Sequence, residues 1–237
     1  MNDSPMPELP QVPGQVAPDG NIAAPEFLAS LLADGNDDMA AWVISQALSE
    51  RPRVEVYDEV VRPAMELVGT RWQEGQWSIS VEHLASVALN QALSRVRPPE
   101  KPEWRIGPTA VLAAPEMEQH VAGLACLAQV LADDGWHVEN LGANVPADDL
   151  VSFISARDVD LVALSIGTAD RLETLRRAVD AIRAQGGGVA ELPLMVGGRG
   201  VAAIAELAGA SLVCHSLADA QQFARSLSLG PGDVDRS

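Results

Sequence analysis

Cysteine is scarce in this chain: only Cys126 and Cys214 occur in 237 residues, each inside an apolar stretch. Two thiols placed that way suit buried side chains and argue against a disulfide framework or a Cys/His metal cluster. Positive charge is scarce as well, with 16 Lys and Arg against 33 Asp and Glu and a formal net charge of -17. Such a field repels phosphate backbones, so no direct DNA binding is expected, and the acidity reads first as an aid to solubility. No apolar run approaches the ~20 residues that span a bilayer. The acidic, Pro-rich N-terminus also lacks the regions of a signal peptide, so a cytoplasmic protein with no membrane partner is expected. There is no G-x-S-x-G elbow and no Walker A loop, which weighs against an enzyme working without a cofactor. Gly197-Gly198-Arg199-Gly200 resembles a phosphate loop only weakly.

What the chain does have is apolar material, 47% of its residues, arranged in two different periods. Residues 1–24 carry five prolines among polar residues and read as a disordered tail, because they cannot bury enough surface to offset ordering entropy. From 25 to 97 the spacing is helical. Phe27, Leu28 and Leu31, then Met39, Trp42 and Val43, then Val56, Val60 and Val61, and last Val81, Leu84 and Val87 mark four helices of a bundle. Breaks are expected at Gly35-Asn36, Pro52 and Gly75, and Pro63 predicts a kink or a restart. Residues 98–107, rich in proline, read as a stiff linker.

From 108 to 229 the period alternates. Apolar runs at Ala110, His137, Leu161 and Pro193 each precede a turn and a helical stretch, and a fifth short run begins at Ser211. The triple glycine 186–188 reads as a plain connection, and 230–237 as a flexible tail. Strands alternating with helices predict an α/β domain with a parallel sheet covered on both faces, its ligands at the carboxyl ends of the strands. The loops after Ala114, Ile166 and Val196 are therefore the functional candidates.

The first of these loops carries Glu118 and His120. A carboxylate two positions before a histidine can engage one ring nitrogen and leave the other basic, which is how metal-ligating imidazoles are usually held. A lone loop histidine is more often merely solvated, so the surrounding spacing has to decide. Here Glu118-x-His120-x-x-Gly123 resembles the cobalamin-binding signature Asp-x-His-x-x-Gly. Forty-one residues then lead to Ser165 in its Ser-x-Leu part, and 29 separate Gly167 from the pair Gly197-Gly198. The resemblance implies a Rossmann-like, flavodoxin-like cobalamin-binding domain of the methionine-synthase type. His120 would be the lower axial cobalt ligand and Glu118 its orienting group, and Gly123, Ser165, Gly197 and Gly198 would line the slot for the nucleotide tail. Glu in place of Asp adds a methylene, and Gly167 stands where the family has Leu, removing a packing residue from the tail slot.

Trp72, nine residues, then Glu82-His83 is similar to the cap of light-sensing cobalamin photoreceptors related to MerR-type repressors. By that resemblance Trp72 would stack on the adenine of adenosylcobalamin, Glu82 would accept from the nucleoside, and His83 would stand near the upper face of cobalt. The bland alternative makes Trp72 and Trp77 core aromatics, with Glu82 and His83 as ordinary first-turn residues. No MerR-type helix-turn-helix is expected within residues 1–24, so output would pass through a homo-oligomer or a protein partner. The resemblance implies a light-responsive cobalamin sensor without catalytic residues of its own. The alternatives are a corrinoid methyl carrier for methyltransferases and a tetrapyrrole sensor that also takes a bilin or haem. His137 and His215 lie in strand-like patterns and are expected to be structural.

Overall fold

The computed structural model describes residues 24–98, 107–202 and 204–228. The expected tails at 1–24 and 230–237, Ala24 apart, and most of the expected linker at 98–107 lie outside the described residues.

The helical spacing yields α1 (Pro25–Ala33), α2 (Asp37–Glu50), α3 (Arg53–Val56), α4 (Arg62–Gln73) and α5 (Ile79–Arg95). Helix starts fall where local chemistry serves the free N–H groups. Pro25 opens α1, Asn36 Oδ1 accepts from the N–H of Met39, and Ser78 caps α5 through the N–H of Val81. Gly35 and Gly75 end the preceding helices with φ of 69° and 71°, where a side chain would be strained.

As expected of a restart, α4 begins at Arg62 with Pro63 in its first turn. A π-helical stretch, Tyr57–Val61, joins α3 to α4 without a break, and the N–H of Arg62 bonds the carbonyl of Tyr57, five residues back. A proline inside a helix clashes with the carbonyl four residues earlier, which here is Glu59. That carbonyl belongs to the wider π turn, so the ring is accommodated.

The alternating region forms β1 (Thr109–Ala113), β2 (His137–Asn140), β3 (Leu161–Ser165), β4 (Leu194–Gly197) and β5 (Leu212–Val213), all parallel in the order β2-β1-β3-β4-β5. Crossovers run through α6 (Ala122–Asp133), α7 (Ala147–Ser155), α8 (Leu172–Arg183) and the short α9 (Gly187–Glu191), and α10 (Leu217–Ser228) closes the domain. The triple glycine is thus more than a connection, since Gly187 opens α9. His137 begins β2, whereas His215 lies past β5 rather than within it.

The sheet has a core on each face. Val111, Val162, Leu164 and Val196 pack with Leu150, Leu175 and Val179 of α7 and α8. Ala110, Leu112, Ala163 and Met195 pack with Leu124, Leu131 and Ala224 of α6 and α10. The bundle closes over α6, because Cys126 and Val130 on its outer face belong to the same buried cluster as Leu28, Ile44, Tyr57 and Leu89. Both cysteines are free and buried, and burial pushes each thiol up to about 12. No helix among the described residues is long and apolar enough to cross a membrane.

Candidate functional site

The loop after β1 is held in an unusual conformation. Met117 has φ of 66° and Asn144, in the loop after β2, has φ of 57°; the Asn144 side chain accepts from the N–H of Met117 at 2.8 Å. Positive φ is costly for residues with a Cβ, so this crossing of two loops at the carboxyl end of the sheet is imposed by its surroundings. It turns Glu118 inward, to 1% exposure, and leaves Met117 outward, 58% exposed.

Glu118 sits at the centre of a tight set of bonds. Its Oε1 accepts from the backbone N–H of His120 at 2.7 Å and lies 2.6 Å from His120 Nδ1, while its Oε2 accepts from the N–H of Gly167 at 2.8 Å. Burial opposes ionisation, but these bonds outweigh it and hold the carboxyl at about 2. An ionised carboxylate only accepts, so the Nδ1 facing it carries the proton and the neutral ring keeps its lone pair on Nε2. The bond to Glu118 raises the pKa of His120, partial burial opposes the rise, Glu82 adds to it and Arg199 counters it. The extra methylene of glutamate therefore does not abolish the carboxylate–imidazole bond. It also lets the second oxygen tie this loop to the end of β3.

Gly167 has a different consequence from the one its place in the pattern suggests. A Cβ built there would stand 2.5 Å from His120 Cγ, so the imidazole lies directly on the glycine and any side chain would expel it. Close by, Gly198 has φ of 93°, and a Cβ there would come within 2.4 Å of the Ile166 carbonyl oxygen and 2.7 Å of Ser165 Oγ. A Cβ on Gly123, at the start of α6, would lie 3.9 Å from the same hydroxyl. Gly123 and Gly198 thus both approach the Ser165 hydroxyl, where β3, β4 and α6 meet. Gly197 pairs with Ser165 in the sheet and sees only ordinary contacts with Cys214.

The bundle forms a roof over this floor. Glu82 on α5 lies near enough to His120 to act on its charge. Its carboxylate is held by its own helix, with His83 Nδ1 at 2.7 Å and Ser86 Oγ donating at 3.2 Å. Trp72, near the end of α4, is 39% exposed, a large apolar surface for a protein to leave in water. Trp77 behaves otherwise: it packs against the bundle core, with the Arg71 guanidinium 4.7 Å from its ring. One tryptophan is thus exposed and the other packed on the core. His83 is mostly exposed and turned toward Glu82.

Several residues of the site gave no signal in the sequence. Arg199 follows the glycine pair and reaches across to α4, where its Nη1 would lie 2.9 Å from a Cβ on Gly69. Nothing in the primary structure links positions 69 and 199. The same holds for the seam that fixes the bundle. There Tyr57 donates to Gln129 Oε1 at 2.8 Å, Arg53 bonds Gln129, Tyr57 and Asp133, and Gln129 Nε2 donates to the Leu93 carbonyl at 2.9 Å. Asp58 accepts from the N–H groups of Leu217 and Ala218 and so caps α10 from the other domain.

Comparison with known proteins adds independent findings. Two family models, each described as a B12 binding domain, match residues 26–97 and 108–220. The chain is 36% identical over 149 residues to the HTH-type transcriptional repressor CarA of Myxococcus xanthus, covering 62% of this chain and 48% of that protein. It is 33% identical over 161 residues to the repressor CarH of the same organism, covering 66% and 51%. The chain therefore spans about half the length of these curated relatives. The solved monomethylamine corrinoid protein of Methanosarcina barkeri shares the fold, with a TM-score of 0.72 over 87% of this chain and 98% of that one at 17% identity.

Proposed function

The chain belongs to the B12-binding domain family, its two matched segments together taking in most of its length, and from that premise we propose a light-responsive cobalamin-binding regulator. The observation that carries the reading is the stacking of three elements at the carboxyl end of the sheet. A histidine with a free Nε2 forms the floor, Gly123, Ser165 and Gly198 cluster beside it, and α5 brings Glu82 near it. His120 would hold cobalt from below, with Glu118 fixing the tautomer and the direction of the ring. Gly123, Ser165, Gly197 and Gly198 would line the path of the nucleotide tail, and Gly198 keeps a Cβ from closing on the Ser165 hydroxyl. Trp72 offers a flat apolar face for an adenine, Glu82 an acceptor for nucleoside hydroxyls or amine, and His83 a second imidazole at the rim.

Adenosylcobalamin, when bound, supplies a cobalt–carbon bond that light can break. The protein supplies the cage and the surfaces through which the change would be passed on. Output is read as a change in self-association or in the binding of a protein partner. Both curated relatives named above are transcriptional repressors, which supports a regulatory role.

The test is reconstitution with adenosylcobalamin in the dark, with absorption spectra and size-exclusion profiles taken before and after green light. A spectral change together with a moved elution volume, or a changed affinity for a partner, supports the sensor. His120→Ala is expected to weaken cobalamin binding by more than about a hundredfold and to shift the spectrum; unchanged affinity and spectrum would remove His120 as the ligand. A corrinoid methyl carrier is the second reading, favoured by one feature: His83 and Met117 stand exposed beside the site, within reach of a second protein. Cobalamin binding with no response to light in oligomer or partner would put that reading first.

A further inference from the structure

Arg199 is one of the few described arginines with no carboxylate beside it. In a chain of 33 acidic residues, most described arginines lie within 4.0 Å of a carboxylate. Among the described residues none pairs with Arg199, whose hydrogen bond is a long one, 3.5 Å from Nε to the carbonyl of Gly167. A guanidinium has five donors in a planar fork, so four N–H groups here have no bonded acceptor.

Their position is specific. Arg199 leaves the strand end just after Gly198, and its guanidinium lies against α4 at Gly69, one turn from Trp72. Gly69 permits that approach, because a Cβ would stand 2.9 Å from Nη1. Gly167, whose carbonyl steadies Nε, is the glycine on which the His120 ring rests. The fork therefore sits between floor and roof, beside the proposed cobalt ligand, with its donors uncommitted.

We propose that Arg199 is a corrinoid-binding residue whose guanidinium donates to an oxygen acceptor of the cofactor, a ring-edge amide carbonyl or the phosphate of the nucleotide tail. The inference rests on the cobalamin-binding reading and adds a recognition residue to it. Charge-assisted, forked donation is the strongest hydrogen bonding a side chain offers, and lysine cannot reproduce its geometry.

Arg199 is exposed, so Arg199→Gln and Arg199→Lys leave the core intact. The experiment titrates wild type and both variants with aquacobalamin and with cobinamide, which keeps the ring amides and lacks the nucleotide phosphate, following affinity and absorption spectrum. Arg199→Gln is expected to weaken cobalamin binding on the order of tenfold while the spectrum at saturation stays that of wild type, with Arg199→Lys recovering part of the loss. An equal loss on cobinamide assigns the ring amides, and a loss confined to cobalamin assigns the phosphate. Unchanged affinities for both corrinoids in both variants overturn the role of Arg199. A wild-type protein that binds neither corrinoid overturns the cobalamin reading itself.

Discussion

The bundle meets the α/β domain along two borders of opposite character. At the seam against α6 and α10, Tyr57 and Gln129 are buried, each bonded polar atom has a partner in the other domain, and Asp58 caps a helix across the border. At the crevice above the strand ends, Met117 is exposed, two residues with side chains take positive φ, and His120 offers an unengaged Nε2. The seam resembles a protein interior, and the crevice resembles a surface awaiting contact. One border gives the bundle a fixed place, which lets the other stay open without the two domains separating.

If that division is right, damage to the two borders must read out differently. The largest stability effect belongs to the seam. Gln129→Ala takes the Gln129 donor from the Leu93 carbonyl and the acceptor from the buried Tyr57 O–H, and is expected to cost about 3 kcal/mol in denaturant unfolding. Cobalamin affinity, measured on the folded variant, should hardly change; a large loss of affinity with little loss of stability would erase the distinction between the borders.

Glu118→Gln acts at the crevice and inverts that pattern, with affinity for cobalamin falling about 10- to 100-fold. It also probes pH. The folded carboxyl titrates at about 2 against an ordinary 4.5, so its stabilisation is present above 4.5 and is lost as pH falls from there toward 2. His120 is raised from its ordinary 6.5, so its contribution is complete below that value and fades as pH rises through the raised one. In the cofactor-free protein, Glu118→Gln should flatten the dependence of Tm on pH at both ends. An acid limb identical to that of wild type would mean that the pair contributes nothing.

The smallest contrast lies between two tryptophans. Trp77→Ala removes a ring packed on the bundle core and should cost about 2 kcal/mol, whereas Trp72→Ala should stay within about 0.5 kcal/mol of wild type. Equal losses would place Trp72 in the core and weaken its claim on the crevice.

Much of this architecture could be read from period alone. Val111, Val162 and Val196 occupy continuous apolar runs because central parallel strands are buried on both faces, and such runs are visible without coordinates. The spaced set Glu118, His120, Gly123, Ser165, Gly197 and Gly198 was legible for a similar reason, since each residue sits at a fixed offset from the end of a strand. The restart at Pro63 was legible, but the π-helical stretch before it leaves no mark in composition. Gly167 was misread because its meaning depends on a ring that reaches it from another loop. Trp72 and Trp77 could not be separated, since five residues apart in sequence says nothing about which one finds a packed neighbour.

The sequence by itself determined the order of elements, the parallel sheet and the loop that presents an acidic residue and a histidine at its carboxyl end. All of these follow from local period and from turn residues acting on their neighbours. Tertiary structure alone decided that Glu118 would bridge His120 to Gly167, that Gln129 and Tyr57 would lock one border, and that Arg199 would lie against Gly69 with its donors free. Those contacts join residues from 49 to 130 positions apart. They depend on how distant loops meet and how the two domains pack, which no local pattern encodes.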